Sequence, residues 1–473
     1  MVIATVIDGA PAQVYAYGLA DVGRRKPTTA DTVFSVASIS KAVTAWGVLR
    51  LAERDGIDLD APARRYLSAW PLPPSSYPDS AVTIRRLLDH TAGINAGPDT
   101  FRRPGAPALS AIALLRGEGA RAGAGRPKLI GPHGAYIYSA PGYTLLQMIV
   151  EQQSRQSFET YMRDVVFRPL GMNASTFAWD GRLGETTATP YSGGRPTAMV
   201  VPQDLAADGL FSTGADLARF VGAWLPDKQG PAGAGVLSAG AMRPLYKPPE
   251  GLSQVQPWGV GDGPAAGCFI EYLSDGRIVV TNGGYDPGWS SQFYIVPSTG
   301  DGIVILTNSG HAEPAIAQVA ALWSVWRGLP PMKLTRAYRG LGTGVALTIG
   351  FLMMISISFA GHLVEDLATG VRRFGEFRPS GLVATTIECV LALGAMGLWV
   401  SARSTLQALP TFNAVGVMTI TFFSLVALAR FVCPIGGSRP HGFSQGRADR
   451  LARRHGHPDR AAVSTGAPEA ALP

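Results

Sequence analysis

The chain has 473 residues, too many for one ordinary domain, and carries 41 Lys and Arg against 34 Asp and Glu. The basic excess is uneven: residues 331–473 hold 14 basic and 7 acidic side chains, which leaves 27 of each in residues 1–330. The first part therefore lacks the basic stripe that nucleic-acid binding requires, and the surplus charge lies around and after apolar runs, as in membrane proteins. Cys268 is alone in the first part, Cys389 and Cys433 fall in the apolar tail, and no CxxC or metal-like spacing occurs.

Residues 2–7 and 13–19 read as two strands joined by Asp8-Gly9-Ala10-Pro11. They start without a basic n-region or cleavage site, so an outward-facing domain needs another route of translocation or a missing N-terminal piece, and the second is favoured. Residues 38–55 read as a helix stopped by Gly56, with Ala42, Ala45, Trp46 and Leu49 on one apolar face. A second helix is expected over 144–164, opened by Pro141-Gly142, and Gly/Pro-rich 117–134 reads as a surface loop. Strands are expected at 278–281, 292–297 and 302–307, the last two forming a hairpin, with a closing helix over 313–327. Strands at both ends and helices between them fit an α/β sandwich, an antiparallel sheet flanked by helices.

After Pro331 the composition changes. Residues 341–361, 381–401 and 411–432 are each long and apolar enough to span a bilayer. The expected organisation is a globular domain at 1–330, a membrane domain at 331–433 and a basic, disordered tail at 434–473. Arg372, Arg373 and Arg378 between spans one and two, and six Arg in the tail, place both regions on the cytoplasmic side. The first domain then faces outward, in a multi-pass protein of the cell membrane whose spans contact lipid. Glu388 within the second span reads as a structural partner of Arg430, or as a functional carboxylate.

Only six lysines occur, and only Lys41 has a serine three residues before it, so Ser38-Ile39-Ser40-Lys41 is the sole SxxK in the chain. A serine at a helix N-terminus has backbone N–H groups near its developing charge, and the i, i+3 spacing puts Lys41 on the same face. A serine hydroxyl needs a neighbouring base, which a desolvated lysine can supply. Ser38 as a helix cap and Lys41 as a solvated residue are the plain alternatives. His90 beside Asp89 suggests a triad, but no G-x-S-x-G elbow exists and sequence neighbours are rarely triad partners, so His90 reads as structural.

Phe34-Ser35-Val36-Ala37-Ser38-Ile39-Ser40-Lys41 resembles the SxxK region of class C β-lactamases, penicillin-binding proteins and related esterases and D-Ala-D-Ala peptidases. The stretch from Val82 to Ile94, Tyr138-Ser139-Ala140-Pro141-Gly142, Phe167 to Met172, Gly209 to Ala218 and Asn282 to Trp289 resemble further family motifs, in the same order, across residues 1–325. The resemblance implies Ser38 as the acylated nucleophile, Lys41 as its base partner and Tyr138 as general base or acid, made a phenolate by the charge of Lys41. It also implies an oxyanion hole from the backbone N–H groups of Ser38 and Tyr285, and a substrate edge at Ala140, Asn282, Gly283 and Gly284. No metal or organic cofactor is implied. The partner would be a small-molecule or peptide acyl substrate.

Ala140 stands where Asn is usual and Asn282 where Lys or His is usual. The first removes an amide that would hold Lys41 and the substrate, and the second removes a cation for a substrate carboxylate. Esterase or peptidase chemistry is therefore expected above β-lactam hydrolysis. A catalytically degenerate sensor or binding module is the alternative, and a transporter role is disfavoured by the single deep ionisable group.

Overall fold

The computed structural model describes residues 1–370 apart from 121–124, 181–182, 227–229, 231 and 253–260. The chain divides into two compact units, Met1–Gly350 with Gly397–Gly416 and Phe351–Met396 with Val417–Pro473. The first unit carries the main sheet. Its strands are β1 (Val2–Ile7), β2 (Ala10–Ala16), β3 (Gly263–Ala265), β4 (Cys268–Tyr272), β5 (Ile278–Asp286), β6 (Trp289–Val296) and β7 (Asp301–Thr307). Among the described residues the order is β3-β4-β5-β6-β7-β1-β2, antiparallel throughout. The two ends of the domain thus meet in one sheet, with Val2 opposite Leu306 and Val6 opposite Gly302.

Side-chain alternation explains why β6 is buried along its whole length. Phe293 and Ile295 join the large core on one face, while Tyr294 and Val296 join a smaller cluster on the other. The smaller cluster is closed by α6 (Glu313–Trp326) through Ile316 and Trp323. On the large face lie α1 (Ile39–Asp55), α2 (Ile84–Leu88), α3 (Ala140–Ser154), α4 (Leu205–Asp208) and α5 (Gly214–Ala223). Trp46 of α1 is wholly buried and packs edge-on to Phe220 at 5.3 Å and tilted to Trp224 at 5.7 Å. Truncating such a side chain costs about 3–5 kcal/mol.

The sandwich inferred from the sequence is the fold observed. Helix α1 ends where Gly56 adopts φ 69°. The helix expected over 144–164 differs. It begins at Ala140, because Ser139 caps it and Pro141 is tolerated in a first turn, and it stops at Arg155 with φ 58°. Phe158–Met162 then starts a second short helix whose Tyr161 and Met162 return to the same core, so apolar periodicity runs across the break and hides it. The strand expected at 278–281 extends to Asp286.

Helix α7 (Lys333–Ala368) follows. Its start is tied to the sheet: Lys333 Nζ meets Asp262 at 2.9 Å, Lys333 N donates to Glu271 Oε1 at 2.5 Å, and Arg336 lies 3.5 Å from Glu271. Three transmembrane helices were expected. Among the described residues no helix is long and apolar enough to cross a membrane. Most side chains of 341–361, all of 381–401 and 411–432, Glu388, Arg430 and the tail after 434 lie outside the described residues.

Candidate active site

Ser38 occupies the N-cap of α1, yet its side chain makes no cap bond, which leaves Oγ free to face outward. Ala37 before it holds φ 46°, a strained value for a residue with a Cβ, so the chain turns sharply into the helix. That turn is clamped from the sheet. Ser291 Oγ on β6 donates to Val36 O at 2.8 Å, and a Cβ on Gly284 would sit 2.2 Å from the same oxygen. Only glycine lets β5 approach this closely.

On the other flank, the segment 205–212 runs along α1. Leu210 N donates to Ser40 Oγ, Thr44 Oγ1 donates to Ala206 O, and Val36 N donates to Leu210 O. This lacing brings Asp208 over Ser38. Three side chains then converge on one hydroxyl. Ser38 Oγ donates to Asp208 Oδ1 at 2.7 Å, and it accepts from Tyr138 OH at 2.8 Å and from Lys41 Nζ at 3.0 Å. Lys41 Nζ also donates to Ala207 O at 3.0 Å and Asp208 Oδ1 at 3.2 Å.

The charges follow from these contacts. Lys41 is 1% exposed, and burial alone would lower its pKa, but the Asp208 carboxylate and Tyr138 more than offset this and hold it raised. These contacts favour the ammonium form of Lys41 in the resting site. Burial raises the Tyr138 pKa, outweighing the neighbouring Lys41 charge, which favours its neutral phenol form in the resting site. Of the three groups on Ser38 Oγ, Asp208 is the one that accepts a hydrogen bond from it.

The sequence-derived residues fall as follows. Ser38, Lys41 and Tyr138 meet in one cluster. Tyr285 and Asn282 line, with Ser38, a cavity of about 1050 Å³ that also reaches Gly283, Gly284 and, at its far end, Tyr338 and Leu341 of α7. Asn282 Nδ2 is engaged by two backbone carbonyls, Ser38 O at 3.1 Å and Gly267 O at 2.7 Å, so its amide braces the site. Ala140 presents only its methyl group to a second, smaller cavity beside Ser38. The lysine contacts that an Asn there would make are supplied instead by Ala207 O and Asp208.

His90 has no contact with Ser38 among the described residues. Its Nδ1 accepts from Ser139 N at 3.1 Å, and its ring lies 4.4 Å from that of Tyr138. Burial, then the nearby Lys41 charge, keep it far below its ordinary pKa, so a neutral imidazole backs the phenol. It is a positioning residue. Asp208 was missed by sequence reasoning because it directly precedes the Gly209–Ala218 motif and nothing local marks it. Among the described residues no group of three His, Cys, Asp or Glu could hold a metal ion.

Residues 1–324 match the family model described as Beta-lactamase. Penicillin-binding protein 4 of Amycolatopsis lactamdurans is 29% identical over 66% of this chain and 81% of its own length. Esterase EstB of Burkholderia gladioli is 31% identical over 38% of this chain and 47% of its own, so the match spans under half of that relative. Penicillin-binding protein 4* of Bacillus subtilis is likewise matched over only 38% of its length. Among solved structures, SurE superposes with a TM-score of 0.56 at 26% identity, covering 70% of this chain and 72% of that one. With the matched region enclosing every residue of the Ser38 cluster, the chain belongs to the beta-lactamase family of serine hydrolases.

Proposed function

We infer that the chain hydrolyses small ester or peptide-like amide acyl donors through an acyl-enzyme at Ser38. The observation that carries this reading is the convergence of Lys41, Tyr138 and Asp208 on Ser38 Oγ. Ser38 Oγ attacks the substrate carbonyl carbon as its proton passes to Asp208 Oδ1. The carbonyl oxygen gains the electron pair and is held by the backbone N–H groups of Ser38 and Tyr285. Collapse breaks the bond to the leaving group, which departs with a proton from Tyr138. The phenol is restored through Lys41 and Asp208, so the proton lost by Ser38 is the net proton gained by the leaving group. Water then attacks the ester by the same route and frees the acid and Ser38.

The Lys41 ammonium stabilises negative charge at each stage without changing protonation state overall. An esterase and a penicillin-binding protein among the relatives support acyl transfer. Penicillin turnover is disfavoured: the Asn282 amide is committed to backbone, and neither Lys nor Arg lines the main cavity among the described residues to hold the drug's carboxylate.

The test is intact mass spectrometry of the detergent-solubilised full chain and its Ser38→Ala variant. Each is exposed briefly to a short-chain activated ester or to a penicillin. A transient adduct with the ester, mapping to Ser38 and absent in the variant, is expected. A folded protein labelled by neither donor would overturn the hydrolase reading and leave a binding or sensor module in its place.

The same reading attaches the enzyme to a membrane by 341–361, 381–401 and 411–432, with the catalytic unit outside and the Arg-rich tail in the cytoplasm. Apolarity of those runs and the flanking arginines support it. The full chain should stay in the membrane pellet after an alkaline carbonate wash. Release into the supernatant would refute the anchor.

A further inference from the structure

The cavity that opens at Ser38 takes part of its wall from outside the catalytic cluster. Leu334, Ala337, Tyr338 and Leu341 of α7 all line it. Their spacing is i, i+3, i+4 and i+7, which puts them on one face of the helix. Phe269 of β4 and Ile316 of α6, both buried, continue the apolar lining. The four α7 residues lie beyond residues 1–324, the part of the chain that matches the family.

This wall is fixed in place by the residues between its members. Met332, just before α7, is fully buried in the smaller core cluster. Thr335 is buried too, and its Oγ1 donates to Ala317 O of α6 at 2.9 Å. Lys333 Nζ donates to Gly261 O at 2.6 Å as well as to Asp262, and Arg336 reaches Glu271. Positions 332, 333, 335 and 336 thus dock the helix, and positions 334, 337, 338 and 341 are left to face the cavity. Leu341 remains 41% exposed there, an apolar side chain at the wall of the space that holds the nucleophile.

Size and lining constrain what the wall meets. The cavity volume of about 1050 Å³ is at the upper end of the roughly 300–1,000 Å³ usual for small-molecule sites, so an acetyl-sized donor leaves most of it unfilled. Neither Lys nor Arg lines it among the described residues, so an anionic tail has no partner. Of the four α7 side chains, Tyr338 alone carries a polar atom, so a peptide-like chain would lose the hydrogen bonds that water gives it. An apolar chain loses nothing on entry. Each methylene fully buried strengthens binding about fourfold.

We propose that the first turns of α7 form a subsite for an extended apolar chain, so that Leu334, Ala337, Tyr338 and Leu341 determine specificity and the enzyme selects esters carrying such a chain over short ones. The inference rests on the Ser38 hydrolase reading and names its substrate class. The chain can belong to the acyl group or to the alcohol, since both flank the carbonyl that Ser38 attacks. The two arms of the test tell them apart.

The detergent-solubilised full chain is assayed for kcat/KM in two series: p-nitrophenyl acetate against hexanoate, and ethyl acetate against hexyl acetate. In one series the longer ester should be favoured at least about tenfold, as partial burial of four methylenes predicts. Ala337→Trp, which fills the subsite, and Leu341→Asp, which charges it, should each cut that ratio severalfold. Both positions are exposed, so neither change disturbs the core. Leu322→Ala, on α6, 73% exposed and away from the cavity, should leave the ratio as it is. Partition of ester into micelles is common to all variants and cancels between them. Equal kcat/KM in both series, or a preference untouched by both α7 variants, would overturn the proposal. Calorimetric titration of Ser38→Ala with hexanamide and acetamide separates binding from turnover. If wild type cleaves no ester, tighter hexanamide binding that Ala337→Trp weakens keeps the subsite and removes the hydrolase reading, and equal binding removes both.

Discussion

The α1 wall and the β5 wall of the site face one another across Ser38 and are built on opposite principles. On the α1 side, buried charge answers buried charge: Lys41 is met by Asp208, Ala207 O and Ser38, and Tyr138 is backed by His90. On the β5 side, Gly283, Gly284 and Asn282 offer no charge, and the one amide is committed to backbone carbonyls. The contrast separates two jobs. Acyl transfer needs donors and acceptors held at fixed distances in a low-dielectric setting, and the α1 wall supplies them. Substrate choice needs groups left unanswered until ligand arrives, and Gly283, Gly284 and Asn282 of the β5 wall offer none.

The sharpest way to break this division is to remove the one proton acceptor on Ser38. Asp208→Asn keeps the shape but cannot take a proton, and kcat should fall by about 10²–10⁴-fold while KM changes little. Loss of the acceptor should also let the Lys41 pKa drop, since the carboxylate that raises it against burial is gone. The residual activity should then rise with pH as Lys41 becomes a free amine able to act as base. A variant with unaltered kcat would show that Asp208 only pairs with lysine, and the older assignment of Lys41 as base would return.

Much of the α1 wall was legible from the sequence, because its signals are local. The SxxK spacing lies within one helical turn, Gly56 marks the helix end, and Tyr138 sits in a quotable motif. Asp208 was not legible, since it reaches Ser38 from 170 residues away and is delivered by the lacing of 205–212 along α1. Asp286 bonds Ser35 across 251 residues, and nothing in Gly284-Tyr285-Asp286-Pro287 says that its carboxyl points inward. The sheet was readable from strands at the two ends of the domain, whereas the break at Arg155 was hidden by apolar residues on both sides of it. Asn282 was correctly seen as uncharged, but its use as a brace depends on Gly267 arriving from the neighbouring hairpin.

Gly267 is where the two walls touch, and it offers a second, smaller perturbation. Its φ is 81°, and a Cβ there would lie 2.5 Å from Lys41 O and 2.9 Å from Lys41 C. Both atoms are backbone, so the clash cannot be relieved by a rotamer change. Gly267→Ala should destabilise the protein by about 2–4 kcal/mol, combining the left-handed penalty with overpacking. Denaturant unfolding of the detergent-solubilised chain measures it. Activity per folded molecule should fall too, because the Asn282 brace and the Lys41 backbone shift together. Lost stability with full specific activity would show that the walls are independent.

The smallest effect is expected behind that contact, at Asp89. This residue ends α2, is 5% exposed, and has its pKa pushed up to about 7 by burial, with Arg85 and the Ala266 backbone acting in the opposite direction. Its unfolded value is near 3.8, so the folded state holds the proton more tightly. Stability from this group is complete below the unfolded value and is lost as pH rises through about 7. Glu271, which anchors the start of α7, is raised to about 7 by burial against the Lys333 N–H and Arg336, and acts in the same sense. The thermal midpoint of the wild-type protein should therefore decline from about pH 4 to about pH 7 and level off above it, because in that interval the unfolded chain has released protons that the folded one still holds. Asp89→Asn should flatten part of that decline, and adding Glu271→Gln should remove most of the remainder. Asp89 borders the catalytic wall through Leu88, whose carbonyl accepts from Gly267 N, whereas Glu271 supports the cavity end at α7. An Asp89→Asn variant whose midpoint still falls as steeply as wild type would place the pH sensitivity at the α7 end, away from the junction of the two walls.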